Sequence, residues 1–342
     1  MTYLRAVPAS RPCLSGWLDC VTCRTPAGIL AIWLKARLVV ACFLLLMSGA
    51  TVYGQPGAPL TLVEVGNGMF LASGAVATAD TDNLGHIANI GFIIGSKYVA
   101  VIDTGGSVHV GRQLKQAIEA TTDLPIKFVI NTHMHPDHVL GNGAFAGDGV
   151  QFVGHRKLAS ALDARATTYI EANRNLVGDK AFDGTKVITP QLQVSGPTIF
   201  DLGERSIRLV TYGTAHTDSD LIVIDEKTNT AWLGDLLFRA HLPVIDGSLN
   251  GWLVVLEKLG AEKFAMVVPG HGRVSRNWPG ALDPQLEYLR YLQKNVRRFI
   301  SEGRTLTAAL TDIPVPPDTT WKLVDQFHRR NISAAFAELE WE

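Results

Sequence analysis

Within six residues, His133-Met134-His135-Pro136-Asp137-His138, the chain sets three imidazoles and a carboxylate. Imidazole suits zinc and other borderline metals, and the interleaved carboxylate adds a hard oxygen ligand or a base, so this spacing can furnish ligands to two ions at once. A lone histidine is more often packed or solvated, and a His-x-His pair is common on surface loops. Four ligand-type residues in six shift the balance to a dinuclear metal centre. Further residues of the right type follow at similar positions: His216 in Gly213-Thr214-Ala215-His216-Thr217-Asp218, Asp235 after Trp232-Leu233-Gly234, and His271 in Pro269-Gly270-His271-Gly272.

Each of these residues stands beside an apolar run that must position it. Ile126 to Ile130 reads as a strand by its β-branched content, and Pro136, Gly141 and Gly143 break regular structure just beyond it. His216 falls in a loop between the strand-like runs Ile207 to Val210 and Leu221 to Ile224. Asp235 falls at the end of a short strand, and His271 follows Met266-Val267-Val268. Loops at the carboxyl ends of strands are where α/β sheets place their chemistry. Ser107 to Ala120 reads as a helix, as do Leu282 to Phe299, with apolar residues at three- and four-residue steps, and about Thr319 to Glu340, broken near Asn331.

The ordered pattern His-x-His-x-Asp-His, then His, then Asp, then His resembles the metallo-β-lactamase superfamily over roughly Leu60 to His271. The resemblance implies an α/β fold, an αββα sandwich with the site along one edge and C-terminal helices added. It also implies one ion held by His133, His135 and His216, a second by Asp137, His138 and His271, and Asp235 bridging them. No cysteine is available for the lactamase type of site, since Cys13, Cys20, Cys23 and Cys42 all precede the fold. With Asp235 in the bridging place the site is more similar to glyoxalase II, lactonases and related hydrolases. Arg239-Ala240-His241-Leu242-Pro243, with Asp246-Gly247-Ser248 and Gly251-Trp252, resembles the quinoprotein relay system metallohydrolases, exported proteins associated with quinone-dependent dehydrogenases.

The implied chemistry is hydrolysis of an ester, thioester or lactam-type bond. Two zinc ions sharing a water lower its pKa from about 15.7 toward about 7, which makes a hydroxide nucleophile available. Asp137 is the expected catalytic carboxylate, orienting that hydroxide or passing its proton to the leaving group. Asp103, in Val101-Ile102-Asp103-Thr104-Gly105-Gly106, either supports the ligand loop or caps the helix after it, a role Thr104 or Ser107 would fill equally well. Arg239 and His241 either point into the cleft or are solvated, and His86 with Asn89 would line the opposite wall of its mouth. His155 is expected to cap or pack, and His109 and His328 to lie at the surface. Iron in the same cage would make an oxidoreductase instead. A non-catalytic periplasmic protein that binds metal or a quinone-related ligand is the other class in view.

The chain has 342 residues and a formal net charge of −1, which removes the basic field a nucleic-acid partner needs. A 47% hydrophobic content supplies a core large enough for one catalytic domain, expected over residues 55–342. Residues 1–54 read as a leader: Lys35 and Arg37 precede the apolar run Leu38 to Met47, and small residues follow at Ser48-Gly49-Ala50 and Gly54. That run is short for a membrane span, which favours export to the periplasm or medium with the leader cleaved. The start codon could lie downstream of Met1, and an uncleaved anchor is the alternative. The cleaved protein would contain no cysteine, so neither disulfides nor thiol chemistry would contribute. Val39-Val40-Ala41-Cys42 resembles a lipoprotein cleavage box, but Phe43 to Met47 continues the apolar run beyond it, which argues against lipidation. A quinoprotein dehydrogenase is the partner implied.

Overall fold

The computed structural model describes residues 60–317 and 319–342. The expected leader and all four cysteines lie outside the described residues. Among the described residues no helix is long and apolar enough to cross a membrane.

The first sheet runs in spatial order β1 (Val63–Gly66), β2 (Met69–Ala72), β3 (Ile90–Ile94), β4 (Val99–Ile102), β5 (Ile126–Ile130), β6 (Gln151–His155), β7 (Leu192–Val194). Pairing is antiparallel from β1 to β4 and parallel from β4 to β7. Parallel neighbours need crossovers. The connections are α1 (Val108–Thr121), the short turn α2 (Pro136–Val139), and α3 (Leu158–Val177) followed by α4 (Asp179–Phe182). The second sheet orders β12 (Met266–His271), β11 (Thr230–Phe238), β10 (Leu221–Asp225), β9 (Ser206–Thr211), β8 (Thr198–Asp201). It is antiparallel except for β11 with β12, which α5 (Leu249–Ala261) connects.

Strand alternation decides the layers. Ile93, Ala100, Ile102, Phe128 and Ile130 turn inward onto Leu209, Val223, Trp232, Met266 and Val268 of the second sheet, which forms the central core. Their neighbours Phe92, Val99, Val101 and Val129 turn outward onto Val110, Leu114 and Ile118 of α1. On the far side of the second sheet, Ile222, Ile224 and Leu233 meet Trp252 and Leu256 of α5. The same cluster takes in Tyr288 and Leu292 of α6 (Asp283–Ser301) and Ile332 and Phe336 of α8 (Val324–Leu339), with α7 (Leu306–Asp312) between them in the chain. The result is the expected αββα sandwich with C-terminal helices covering one face.

Several local expectations need correction. Pro136 starts a helical turn instead of breaking structure, because proline at the first helical position gives up only an N–H that would be unpaired anyway. Asp235 lies in the middle of the nine-residue β11, and the register shifts at Gly234 beside it. The last helix is unbroken at Asn331, whose buried amide instead donates to the Pro243 carbonyl and the Tyr288 hydroxyl and accepts from Ile245 N–H. His328, expected at the surface, is buried and bonds the same Tyr288 hydroxyl and the Ile313 carbonyl. His109 is only half-exposed, and its Nε2 is buried without a partner.

Candidate metal centre

Four segments meet along one edge of the sandwich. The β5–α2 segment brings His133, His135, Asp137 and His138, the β9–β10 loop brings His216, β11 brings Asp235 and β12 ends on His271. Their donor atoms fall into two groups, each within 4.8 Å: His133, His135, His216 and Asp235, and Asp137, His138 and His271. Asp235 touches both groups, with Oδ2 3.3 Å from His216 Nε2 and Oδ1 3.2 Å from His138 Nε2. Gly270 permits this approach, since a Cβ there would fall on Asp235 Oδ1.

The surroundings decide which nitrogen of each ring faces inward. His216 Nδ1 lies 2.7 Å from the Val244 carbonyl, His271 Nδ1 2.9 Å from the Ile87 carbonyl, and His138 Nδ1 2.8 Å from Asp103 Oδ2. Carbonyl and carboxylate oxygens only accept, so each Nδ1 donates. His135 donates in the same way through Nε2 to Asp246 Oδ2 at 3.0 Å. His133 Nδ1 lies 3.1 Å from Thr132 Oγ1, whose own proton goes to Asp103 Oδ2 at 2.8 Å, so this ring also donates outward. The remaining nitrogens turn lone pairs toward the centre, where His135 Nδ1 stands 2.9 Å from His216 Nε2 and 3.1 Å from His133 Nε2. Lone pairs that close repel unless a cation lies between them. Although they face one another at 3.2 Å, the buried His138 Nε2 and Asp235 Oδ1 have no hydrogen-bond partner among the described residues. This donor set fits divalent cations, with outer hydrogen bonds fixing ring orientation as metal sites require.

Electrostatics agree. Burial drives the pKa of His216 down to about 3 and that of His133 well below the ordinary value, which keeps both neutral. At His138 burial opposes charge, but Asp235, Asp103 and Asp137 outweigh it and raise its basicity well above normal. His271 is raised likewise, burial being overcome by Asp235 and Asp137. Burial would raise Asp235, yet His271, His138 and His133 hold it well below the carboxylate range. Nitrogens that basic among carboxylates attract a positive ion.

Asp103 acts from behind. It adopts φ +55°, a left-handed conformation uncommon outside glycine, and so turns its carboxylate into the ligand loop. There it accepts from Thr132 N–H and Thr132 Oγ1–H, each at 2.8 Å, as well as from His138. The helix cap belongs to Ser107, whose Oγ accepts from Val110 N–H.

A cleft of about 550 Å³ opens in front of the donors, with Asp137 and His241 in its wall. His241 is buried, its ring centroid lies 4.4 Å from that of His271, and its Nδ1–H donates to the Leu242 carbonyl at 2.9 Å. Three residues that the sequence placed at the cleft, Arg239, His86 and Asn89, do not line it. Arg239 donates to the carbonyls of Arg273 and Val274, and His86 turns away into the interior with Nε2 unpartnered. His155 ends β6 and accepts from Lys157 N–H. Asn89 is also interior, its amide donating to the carbonyls of Pro269 and Gly272 and so securing the His271 segment. Sequence reasoning missed the role of Asp246 and of the α3 face that walls the cleft.

Residues 84–271 match the profile of the Metallo-beta-lactamase superfamily. The chain belongs to this superfamily. The matched span, over half of the chain, begins just before β3 and ends on His271. Among solved structures, a metallo-beta-lactamase from Pontibacter korlensis superposes with a TM-score of 0.54 at 19% identity, over 68% of this chain and 99% of that one. The stereoselective inverting sec-alkylsulfatase Pisa1 from Pseudomonas sp. gives a TM-score of 0.63 at 16% identity, over 81% of this chain and 50% of the other. At those identities the likeness is one of fold. A curated relative, the linear primary-alkylsulfatase of a Pseudomonas sp., is 40% identical over 48 residues, 14% of this chain and 9% of that protein. The chain thus matches about a tenth of that relative's length. Superfamily membership with the gathered His and Asp donors points to a metal-dependent hydrolase.

Proposed function

We propose that this protein is a dinuclear zinc hydrolase that cleaves an ester, thioester or lactam-type bond. The observation that carries the reading is the convergence of five imidazoles and two carboxylates, with each ring held by an acceptor on its outer nitrogen. The donors are nitrogen and oxygen without thiolate, the set that suits zinc in hydrolytic sites. Bound cations would supply an acidified water, its pKa near about 7, and electrophilic pull on a substrate oxygen.

The chain's own residues do the rest. Asp137 faces the cleft, with Oδ2 3.4 Å from His271 Nε2 and 3.6 Å from His138 Nε2. From that position its carboxylate can take a proton from the attacking water and deliver it to the leaving group. Asp246 orients His135, and Asp103 orients His138 and the loop between them. His216, Asp235, Phe238, His241 and His271 are the buried part of the lining, and their burial strengthens the fields the reacting groups feel. Export to the periplasm through a cleaved leader over residues 1–54, and work beside a quinoprotein dehydrogenase, complete the proposal. They rest on the apolar run Leu38 to Met47 and on the segment Arg239 to Trp252.

The test is a hydrolysis screen on the full chain with metal analysis in parallel. Turnover of an ester, thioester or lactam that vanishes in His135→Ala and Asp235→Ala supports the reading. Iron in place of zinc, with oxygen consumed and no hydrolysis, overturns it.

A further inference from the structure

One wall of the cleft is a single face of α3, where Arg165, Tyr169, Ala172 and Leu176 line the space at helical spacing. Residues three and four apart share a helix face, so this row runs from a guanidinium through a phenol to aliphatic side chains. From α8, Phe327 and Arg330 line the same space. Burial raises the pKa of the Tyr169 hydroxyl, and the charges of Arg165 and Arg330 pull against that rise.

The charges there are unevenly satisfied. Among the described residues Arg165 donates only to the Ala161 carbonyl, at 3.4 Å, and no carboxylate stands within ion-pair distance of it. Arg330 has its nearest carboxylate in Asp246 at 3.6 Å, whose other oxygen already accepts from His135. Asp137 and Asp235 are likewise taken up by imidazoles. The other end of the row is apolar and open: Leu176 is 49% exposed, and Val76, next to the lining residue Ala77, is 45% exposed.

We propose that the substrate carries an oxyanion, bound between Arg165 and Arg330, on an apolar chain laid along Ala172 and Leu176. This rests on the reading of the cleft as a hydrolase site and names the class of molecule it takes. A guanidinium binds a carboxylate or sulfate through paired N–H donors, and the aliphatic end removes a chain from water. A fatty-acyl or alkyl compound with a charged group beyond the scissile bond has that form.

Calorimetric titration of the metal-loaded full chain with decanoate, decyl sulfate, 1-decanol and acetate tests it without requiring turnover. Either decyl anion should bind roughly tenfold or more tightly than 1-decanol, and the tighter of the two identifies the head group. Acetate should bind weaker than decanoate by at least about tenfold, because it lacks the chain. Arg165→Gln and Arg330→Gln should each erase most of the preference of decanoate over 1-decanol, and Arg165→Lys should restore part of it. Arg174→Gln, on the opposite face of α3 and paired with Asp179, should leave it unchanged. Equal affinity for decanoate and 1-decanol, or an unchanged preference in both glutamine variants, overturns the proposal. If the hydrolysis screen alone fails, the hydrolase reading falls while these affinities still decide what the cleft binds.

Discussion

Replacing Asp103 with Asn isolates the contribution of the carboxylate behind the ligand loop. The variant keeps the side chain's shape, and asparagine tolerates the left-handed conformation that position 103 adopts. One oxygen can still accept from Thr132 N–H, but an amide NH2 then stands where Asp103 Oδ2 accepts from Thr132 Oγ1 and His138 Nδ1, each at 2.8 Å. Donor then faces donor. The conflict is relieved when His138 moves its proton to Nε2, and the lone pair that faces Asp235 and Asp137 is lost. Hydrogen bonds to a charged group contribute about 1.5–3 kcal/mol each, and loss of such an outer partner lowers metal affinity about 10–100-fold. A competition titration against a chromophoric chelator should therefore show one of two sites weakened by that factor. Thermal unfolding in excess chelator separates the effect on the fold itself. Wild-type affinity at both sites in Asp103→Asn would refute the argument that this carboxylate sets the His138 tautomer.

Other outcomes follow from the same structure. Gly270→Ala forces a methyl onto Asp235 Oδ1 and should lose metal and stability together, whereas Gly147→Ala, with open space around it, should leave both unchanged by elemental analysis and thermal melting. Burial raises the Asp220 carboxyl to about 8, despite donation from Thr217. Its folded pKa thus exceeds its unfolded value, the folded state holds the extra proton between roughly pH 4 and 8, and this group's contribution to stability falls as pH rises through that window. The stability of wild type relative to Asp220→Asn should accordingly decline from pH 5 to 8 in urea titrations, and a flat difference would contradict the assignment. Asp225→Ala strands the buried Arg205, which Asp225 engages through both oxygens at 2.7 and 3.0 Å, and should cost about 3–5 kcal/mol in the same assay.

The sequence carried the site further than it carried its surroundings. Metal-ligand residue types are rare at this density, and their positions beside β-branched runs placed all of them but Asp235 at or beyond strand ends without coordinates. Strands β3, β5 and β10 and the capped helix after Ser107 were legible for the same reason, since periodicity and end signals agree there. Orientation was not legible. Arg239 and His86 lie within a few residues of cleft-lining positions, yet one satisfies backbone carbonyls and the other turns inward, and nothing local distinguishes these fates. His328 and Asn331 look like polar helix residues, but they bond to the chain between Pro243 and Ile245 and to Ile313, partners brought in by packing. The role of Asp246, more than a hundred residues from His135, is equally non-local. The cleft face of α3 had a usable signal in the spacing of Arg165, Tyr169, Ala172 and Leu176. Its mixture of charged, aromatic and aliphatic residues hides it from a search for apolar stripes.

The central claim is that the gathered side chains hold a pair of metal ions, and elemental analysis of the purified full chain and its variants tests it most directly. The account predicts close to two equivalents of zinc per wild-type chain, a marked loss in His135→Ala and in Asp235→Ala, and no change in His109→Ala. Full metal content in the His135→Ala protein, or a wild-type chain that binds no divalent metal when it is supplied, would contradict it.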